Sequence, residues 1–212
     1  MSTVHSFTFN PFLENTYVVF DETGSCIIID PGTHSREEQL ALSEFIESNK
    51  LRVDKVINTH CHVDHVFGNE YATQTFKAGL YIHKEELPML KAFKEICNMW
   101  GIAGDQSPDP AGFIEDGDTV VFGNTSLRVM LTPGHSPGSI SFYCDRDDYI
   151  IAGDVLFQGG IGRTDLLGGN YDTLISSITN KLMLLNDKVI VYPGHGPPTT
   201  IGFERVSNPF IT

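Results

Sequence analysis

Six consecutive residues, His60-Cys61-His62-Val63-Asp64-His65, put three imidazoles, a carboxylate and a thiol into one short stretch. They follow a β-rich run, Lys55-Val56-Ile57-Asn58-Thr59, and precede Val66-Phe67-Gly68-Asn69. A strand that ends in a cluster of metal-binding side chains constrains the fold more than any other feature of the chain. Metal ligands must converge in space, so the other strands must end where they can complete the set.

Three downstream segments have the form of such partners. Thr132-Pro133-Gly134-His135-Ser136-Pro137-Gly138 follows one strand-like run, Ala152-Gly153-Asp154 ends another, and Tyr192-Pro193-Gly194-His195-Gly196-Pro197 ends the last. Each offers a polar side chain on a turn just after an apolar run. In an extended or turn conformation His60 and His62 point the same way, because strand side chains repeat every two residues. Asp64 and His65, at the opening of a helix, point into a neighbouring volume. One loop can thus feed two adjacent metal positions. Three histidines for one ion, Asp-His-His for the other and a carboxylate between them make a set for two zinc-like ions. A single histidine on such a turn is more often a surface residue. His-x-His-x-Asp-His with three partners in order is hard to read that way.

The rest of the chain reads as strands first and helix after, twice over. Val4 to Phe9, Thr16 to Phe20 and the apolar run Cys26-Ile27-Ile28-Ile29 are strand-like, the last ending in Asp30-Pro31-Gly32. Ser35 with Glu38 forms a capping box for a helix through about Asn49, its apolar side formed by Leu40, Leu42, Phe45 and Ile46. Val53 to Thr59 is a strand, and Asp64 caps a helix running to Thr75. Leu80 to His83 is a strand and Lys84 to Met99 a helix, with Pro88 in its first turn. Asn98 to Gly112 is a long loop carrying Trp100 and Ile102, of the kind that covers sites. A second β-rich block follows from Phe113. Tyr171 to Leu184 is a helix and Val189 to Tyr192 a last strand. No linker or short-period repeat interrupts the chain, so residues 1–212 are expected to form one domain of two packed β-sheets with helices outside.

Charge narrows the function. The formal net charge is −13, from 27 acidic and 14 basic residues, which repels phosphate backbones and makes nucleic acid an unsuitable partner. No apolar run approaches the roughly 18 residues that span a bilayer, so no membrane partner is expected. Met1-Ser2-Thr3-Val4-His5-Ser6 has neither a basic nor an apolar leader region and reads as a cytoplasmic start. The four cysteines, Cys26, Cys61, Cys97 and Cys144, are scattered singly. Cys26 and Cys144 lie in β-like runs and read as buried free thiols.

His60-Cys61-His62-Val63-Asp64-His65, with Asp30, His135, Asp154 and His195 in that order, resembles the metallo-β-lactamase fold superfamily over nearly the whole chain. Gly162-Arg163-Thr164-Asp165-Leu166, Gly194-His195-Gly196-Pro197 and Asn208-Pro209-Phe210 resemble its short glyoxalase II-like branch. The resemblance implies an α/β fold, a four-layer αββα sandwich of two mixed sheets with outer helices. It implies two divalent ions, zinc first, with iron or manganese as alternatives. His60, His62 and His135 would bind one ion, Asp64, His65 and His195 the other, with Asp154 bridging and Asp30 supporting the loop from behind. Asp64 would also be the catalytic residue that orients the attacking water. The implied substrate is a small thioester, S-D-lactoylglutathione or a related glutathione conjugate, and the implied reaction is its hydrolysis. Cys61, facing away from its neighbours, is assigned a structural role, and Arg163 with Asp165 an ion pair fixing its loop. Persulfide dioxygenases share the Gly-Arg-Thr-Asp stretch. They imply a second reading, with one iron on His60, His135 and Asp154. A binding domain without chemistry is a third reading, set against the intact ligand set. The absent leader argues against a secreted β-lactamase. The oligomeric state is not legible.

Overall fold

The alternation of apolar runs with Gly/Pro/Asp turns becomes fourteen strands and six α-helices in a computed structural model describing residues 1–211. The chain divides into two compact units, one of Met1–Ile114 with Val121–Ser126, the other of Glu115–Val120 with the chain from Leu127 onward.

The first unit is built on a six-stranded mixed sheet. Its strands are β1 (Ser2–Phe9), β2 (Glu14–Asp21), β3 (Ser25–Ile29), β4 (Arg52–Ile57), β5 (Gly79–Ile82) and β6 (Gly112–Phe113), paired in chain order. β1, β2 and β3 are antiparallel neighbours, and β3 to β6 run parallel. Parallel neighbours need crossovers. They are made by α1 (Arg36–Ser48), by α2 (Val63–Val66) with α3 (Asn69–Phe76), and by α4 (Leu87–Trp100). Val18, Ile28, Val56, Leu80 and Ile82 of the sheet share a core with Leu42 and Ile46 of α1 and with Leu90, Phe93 and Cys97 of α4. β3 is buried at every residue, which is why it reads as an unbroken apolar run rather than an alternation.

Local signals place these helices well. Ser35 Oγ accepts from Glu38 N at 3.2 Å and Glu38 Oε2 accepts from Ser35 N at 2.9 Å, the reciprocal capping box. Leu42 and Ile46, four apart, are buried, whereas Leu40 lies on the other side and is exposed, contrary to the expected apolar face. The expected helix from Asp64 to Thr75 is two helices. Gly68 breaks it, because Gly68 N donates to Pro31 O at 2.7 Å and a Cβ there would overlap Pro31 O and Thr33 Oγ1. Asp64 therefore lies inside the four-residue α2 and does not cap it.

The second unit contains most of the second sheet. Its strands are β7 (Thr119–Phe122), β8 (Thr125–Leu131), β9 (Ile140–Cys144), β10 (Tyr149–Gly153), β13 (Ile190–Pro193) and β14 (Thr199–Thr200), in the order β14-β13-β10-β9-β8-β7. β11 (Leu156–Phe157) and β12 (Gly160–Ile161) form a small separate hairpin. β10 and β13 are parallel, while β8/β9, β9/β10 and β13/β14 are antiparallel. Leu174 and Ile178 of α5 (Tyr171–Asn180) pack with Ile150, Ala152 and Val191 of the sheet. The expected helix to Leu184 ends early, and Leu182–Leu184 forms a 3-10 turn. β14 and α6 (Ile201–Ser207) lie beyond the last expected strand. Among the described residues no helix is long and apolar enough to cross a membrane.

Candidate metal centre

Parallel pairing decides where the first group of site residues meets. Ile29 of β3 is in register with Ile57 of β4, so Asp30 and Thr59 leave adjacent carboxyl ends side by side, where α/β sheets place their ligands. Asp30 adopts φ 50°, a left-handed conformation that aspartate tolerates better than most residues. Its Oδ1 accepts from Thr59 N at 2.6 Å, and its Oδ2 accepts from Thr59 Oγ1 at 2.6 Å and from His65 Nδ1 at 3.0 Å. The Thr59 hydroxyl, having given its proton to Asp30, accepts from His60 Nδ1 at 3.0 Å. One buried carboxylate thus fixes two imidazoles, directly and through a hydroxyl. Both are left with Nε2 as the lone-pair nitrogen, the form that a metal binds.

The loop is also held by its main chain. Asn58 Nδ2 donates to His65 O at 2.8 Å, Asn10 Nδ2 to Asp64 O at 3.0 Å, and Cys61 N to Glu86 Oε2 at 2.8 Å. His60 and His62 rings meet at right angles with centroids 4.8 Å apart, as their two-residue spacing predicts. Cys61 lies in the hydrophobic core instead. Burial, then the nearby Glu86 and Asp30 carboxylates, push its thiol well above the usual range. Glu14 is fully buried beside His65. Burial pushes its carboxyl well up, against the pull of His65, while Asp30 and Asp64 push in the same direction as burial.

The second unit assembles its own group by the same logic. Gly153 of β10 is in register with Pro193 of the parallel β13, so Asp154 and Gly194-His195 emerge as neighbours. Asp154 Oδ2 lies 3.5 Å from His135 Nε2 and 3.6 Å from His195 Nε2. His135 Nδ1 donates to the Arg163 carbonyl oxygen at 2.7 Å, and a carbonyl can only accept, so Nε2 again carries the lone pair. Gly162 makes that possible. A Cβ there would overlap Asp154 O and stand 3.2 Å from His135 Cβ.

A test of fit comes from the donor atoms themselves. Tetrahedral ligands at about 2.0–2.2 Å from an ion lie roughly 3.3–3.6 Å from one another. Asp154 Oδ2 keeps that spacing to both His135 Nε2 and His195 Nε2, and Asp64 Oδ2 keeps it to His65 Nε2 at 3.6 Å. At 3.5–3.6 Å these pairs are longer than ordinary hydrogen bonds and have the spacing of ligands sharing an ion. The residues fit divalent metals.

The family profile described as the metallo-beta-lactamase superfamily matches residues 9–195, from the end of β1 to His195. The chain belongs to the metallo-β-lactamase superfamily. Within it, the hydroxyacylglutathione hydrolase GloC of Haemophilus influenzae is 36% identical over 203 residues, covering 94% of this chain and 93% of that protein. The probable metallo-hydrolase YqgX of Bacillus subtilis is 36% identical over 203 residues, covering 95% of this chain and 93% of its relative. The solved BLEG-1 B3 metallo-β-lactamase matches with a TM-score of 0.91 at 33% identity, covering 99% of this chain and all of the other. TTHA1623, solved in a di-iron-bound form, matches with a TM-score of 0.87 at 34% identity, covering 98% of this chain and all of the other. ETHE1 from Myxococcus xanthus matches with a TM-score of 0.80 at 26% identity, covering 98% of this chain and 83% of its own. The fold is therefore that of the metallo-β-lactamases, two mixed sheets with helices.

Of the groups that hold these histidines and aspartates, sequence reasoning named Asp30 but not the others. Asn10, Glu14, Asn58 and Glu86 carry no motif signal, since each meets the loop through long-range packing. Arg163 and Asp165 do pair, at 2.7 and 2.8 Å, but on the surface. The contribution of that stretch to the site is made by the Gly162 backbone and the Arg163 carbonyl.

Proposed function

We propose that this metallo-β-lactamase superfamily member is a binuclear thioester hydrolase that cleaves S-D-lactoylglutathione to glutathione and D-lactate in the cytoplasm. His60, His62 and His135 hold one ion, Asp64, His65 and His195 hold the other, and Asp154 bridges. One observation carries the reading. Two carboxylates, Asp64 and Asp154, each stand at ligand spacing from an Nε2 nitrogen, at 3.6 Å from His65 and from His195. That is more than a single-ion, two-histidine and one-carboxylate site requires. The GloC relative supports the thioester substrate.

Bound divalent ions, zinc first, supply hydroxide at neutral pH by lowering the pKa of water, and positive charge for the developing oxyanion. The chain's own groups do the rest. Asp64 accepts a hydrogen bond from the attacking water and turns its lone pair to the thioester carbonyl. The C–O bond forms, the C–S bond breaks, and the thiolate leaves to be protonated from solvent. Asp30, Thr59 and the Arg163 carbonyl keep the imidazoles in one tautomer throughout.

A second reading, a single-iron persulfide dioxygenase, is favoured by the likeness to ETHE1. Metal content of the purified protein, followed by assays with S-D-lactoylglutathione and with glutathione persulfide under oxygen, separates the two. Two ions and thioester cleavage are expected. One iron with oxygen uptake and no thioester cleavage overturns the proposal.

A further inference from the structure

Glu14 opens β2 with its side chain fully buried. Its Oε2 accepts from Thr16 Oγ1 at 2.9 Å, while its Oε1 is buried with no hydrogen-bond partner among the described residues. That second oxygen lies 3.9 Å from His65 Nδ1, the nitrogen bonded to Asp30 Oδ2 at 3.0 Å. The surroundings are built to admit it. A Cβ at Gly32 would overlap Glu14 Oε2 and would stand 2.7 Å from both Asn10 Nδ2 and Asp64 O. Gly32 N donates to Thr16 Oγ1 at 2.9 Å, and Asn10 Nδ2 donates to Gly32 O at 3.0 Å. A glycine, a hydroxyl and an amide are thus arranged around a carboxylate of which only one oxygen accepts a hydrogen bond among the described residues.

Burying such a group is costly unless positive charge stands near it. A fold that needed only the bond to Thr16 would be served as well by glutamine. The carboxylate is accounted for if positive charge collects on the opposite side of the same imidazole, at His65 Nε2.

We propose that Glu14 is a positioning residue for the metal ligand His65. With Asp30 it sets a second negative group against Nδ1, and so strengthens the hold of Asp64, His65 and His195 on their ion without affecting the ion on His60, His62 and His135. This inference rests on the reading of His65 as a ligand given above.

The test uses chelator-stripped wild type, Glu14→Gln and His65→Ala, each titrated with Zn(II) by calorimetry and melted without metal. Glu14→Gln is expected to bind the first ion as the wild type does and the second about tenfold more weakly or worse. Its metal-free melting midpoint should equal or exceed that of the wild type, because the amide keeps the Thr16 bond and replaces a carboxyl whose ionisation burial opposes. Wild-type affinity for both ions overturns the proposal. So does a loss shared by both ions together with a lower metal-free midpoint, which marks a scaffold role. If His65→Ala still binds two ions tightly, the ligand reading itself fails. If His65→Ala loses the second ion and Glu14→Gln keeps it, only the role of Glu14 fails.

Discussion

His135 gives its Nδ1 proton to the main-chain oxygen of Arg163, 28 residues further along the chain. The bond turns Nε2 toward Asp154 and depends on the backbone passing where Gly162 has no side chain. The Gly-Arg-Thr-Asp stretch thus acts on the site through main-chain atoms, although its side chains are what a motif displays.

Gly162→Ala is therefore expected to be severe. The added methyl overlaps Asp154 O, and displacing that backbone costs about 3 kcal/mol, the upper range for overpacking. Urea denaturation of metal-free protein measures the loss, and metal content should fall with it. Arg163→Ala, which keeps the carbonyl and removes an exposed ion pair, should leave both the urea midpoint and the metal content unchanged. Equal damage from the two substitutions would disprove the main-chain explanation.

Asp30→Asn tests the carboxylate that fixes two imidazoles. It accepts three hydrogen bonds, from Thr59 N, Thr59 Oγ1 and His65 Nδ1. An amide must turn its NH2 toward one of these donors. A stability loss of about 2–3 kcal/mol is expected, with a ten- to hundredfold loss of zinc affinity of the order seen for residues that orient metal ligands. Calorimetric zinc titration checks the second figure, and an unchanged affinity removes Asp30 from the site.

Asp21 supplies a pH dependence remote from the proposed metal ligands. It accepts from Thr23 Oγ1 at 2.5 Å, Thr23 N at 3.0 Å, Thr125 Oγ1 at 2.9 Å and Asn124 N at 2.7 Å, tying down the β7–β8 turn. Burial pushes its carboxyl up, but these four bonds outweigh burial and hold its pKa below the ordinary value. A depressed folded pKa contributes stability that is fully present above the unfolded value of about 3.9 and is lost as pH falls through the lower folded value. Asp21→Asn should cost about 2–3 kcal/mol at neutral pH and flatten the acid limb of stability against pH. Urea midpoints of both proteins from pH 3 to 7 decide it.

Glu38→Ala should separate stability from chemistry. The Glu38 carboxylate accepts from Asn10 N and His34 N, both at 2.7 Å, as well as from Ser35 N. Removing it opens the capping box and frees the β1–β2 turn, for a loss of about 1–2 kcal/mol. Zinc stoichiometry should stay at the wild-type value. A loss of metal would mean that Asn10, which also bonds Asp64 O, transmits the damage to the loop.

What could be read along the chain was what short-range geometry controls. The capping box at Ser35 and Glu38, the buried run of β3 and the shared side of His60 and His62 all depend on residues within four positions of one another. The helix expected from Asp64 to Thr75 proved to be two, because the break at Gly68 comes from Pro31 and Thr33, more than thirty residues earlier. The order of His60, His62, Asp64, His65, His135, Asp154 and His195 was enough to suggest a ligand set and to imply the family. It could not show how each nitrogen is presented. That was decided by the parallel pairings of β3 with β4 and of β10 with β13, which bring Asp30 to Thr59 and Asp154 to His195. A hydrogen bond between groups brought together by sheet register leaves no periodic trace in sequence. Glu14, Asn10 and the Arg163 carbonyl therefore became visible only once the strands were laid side by side.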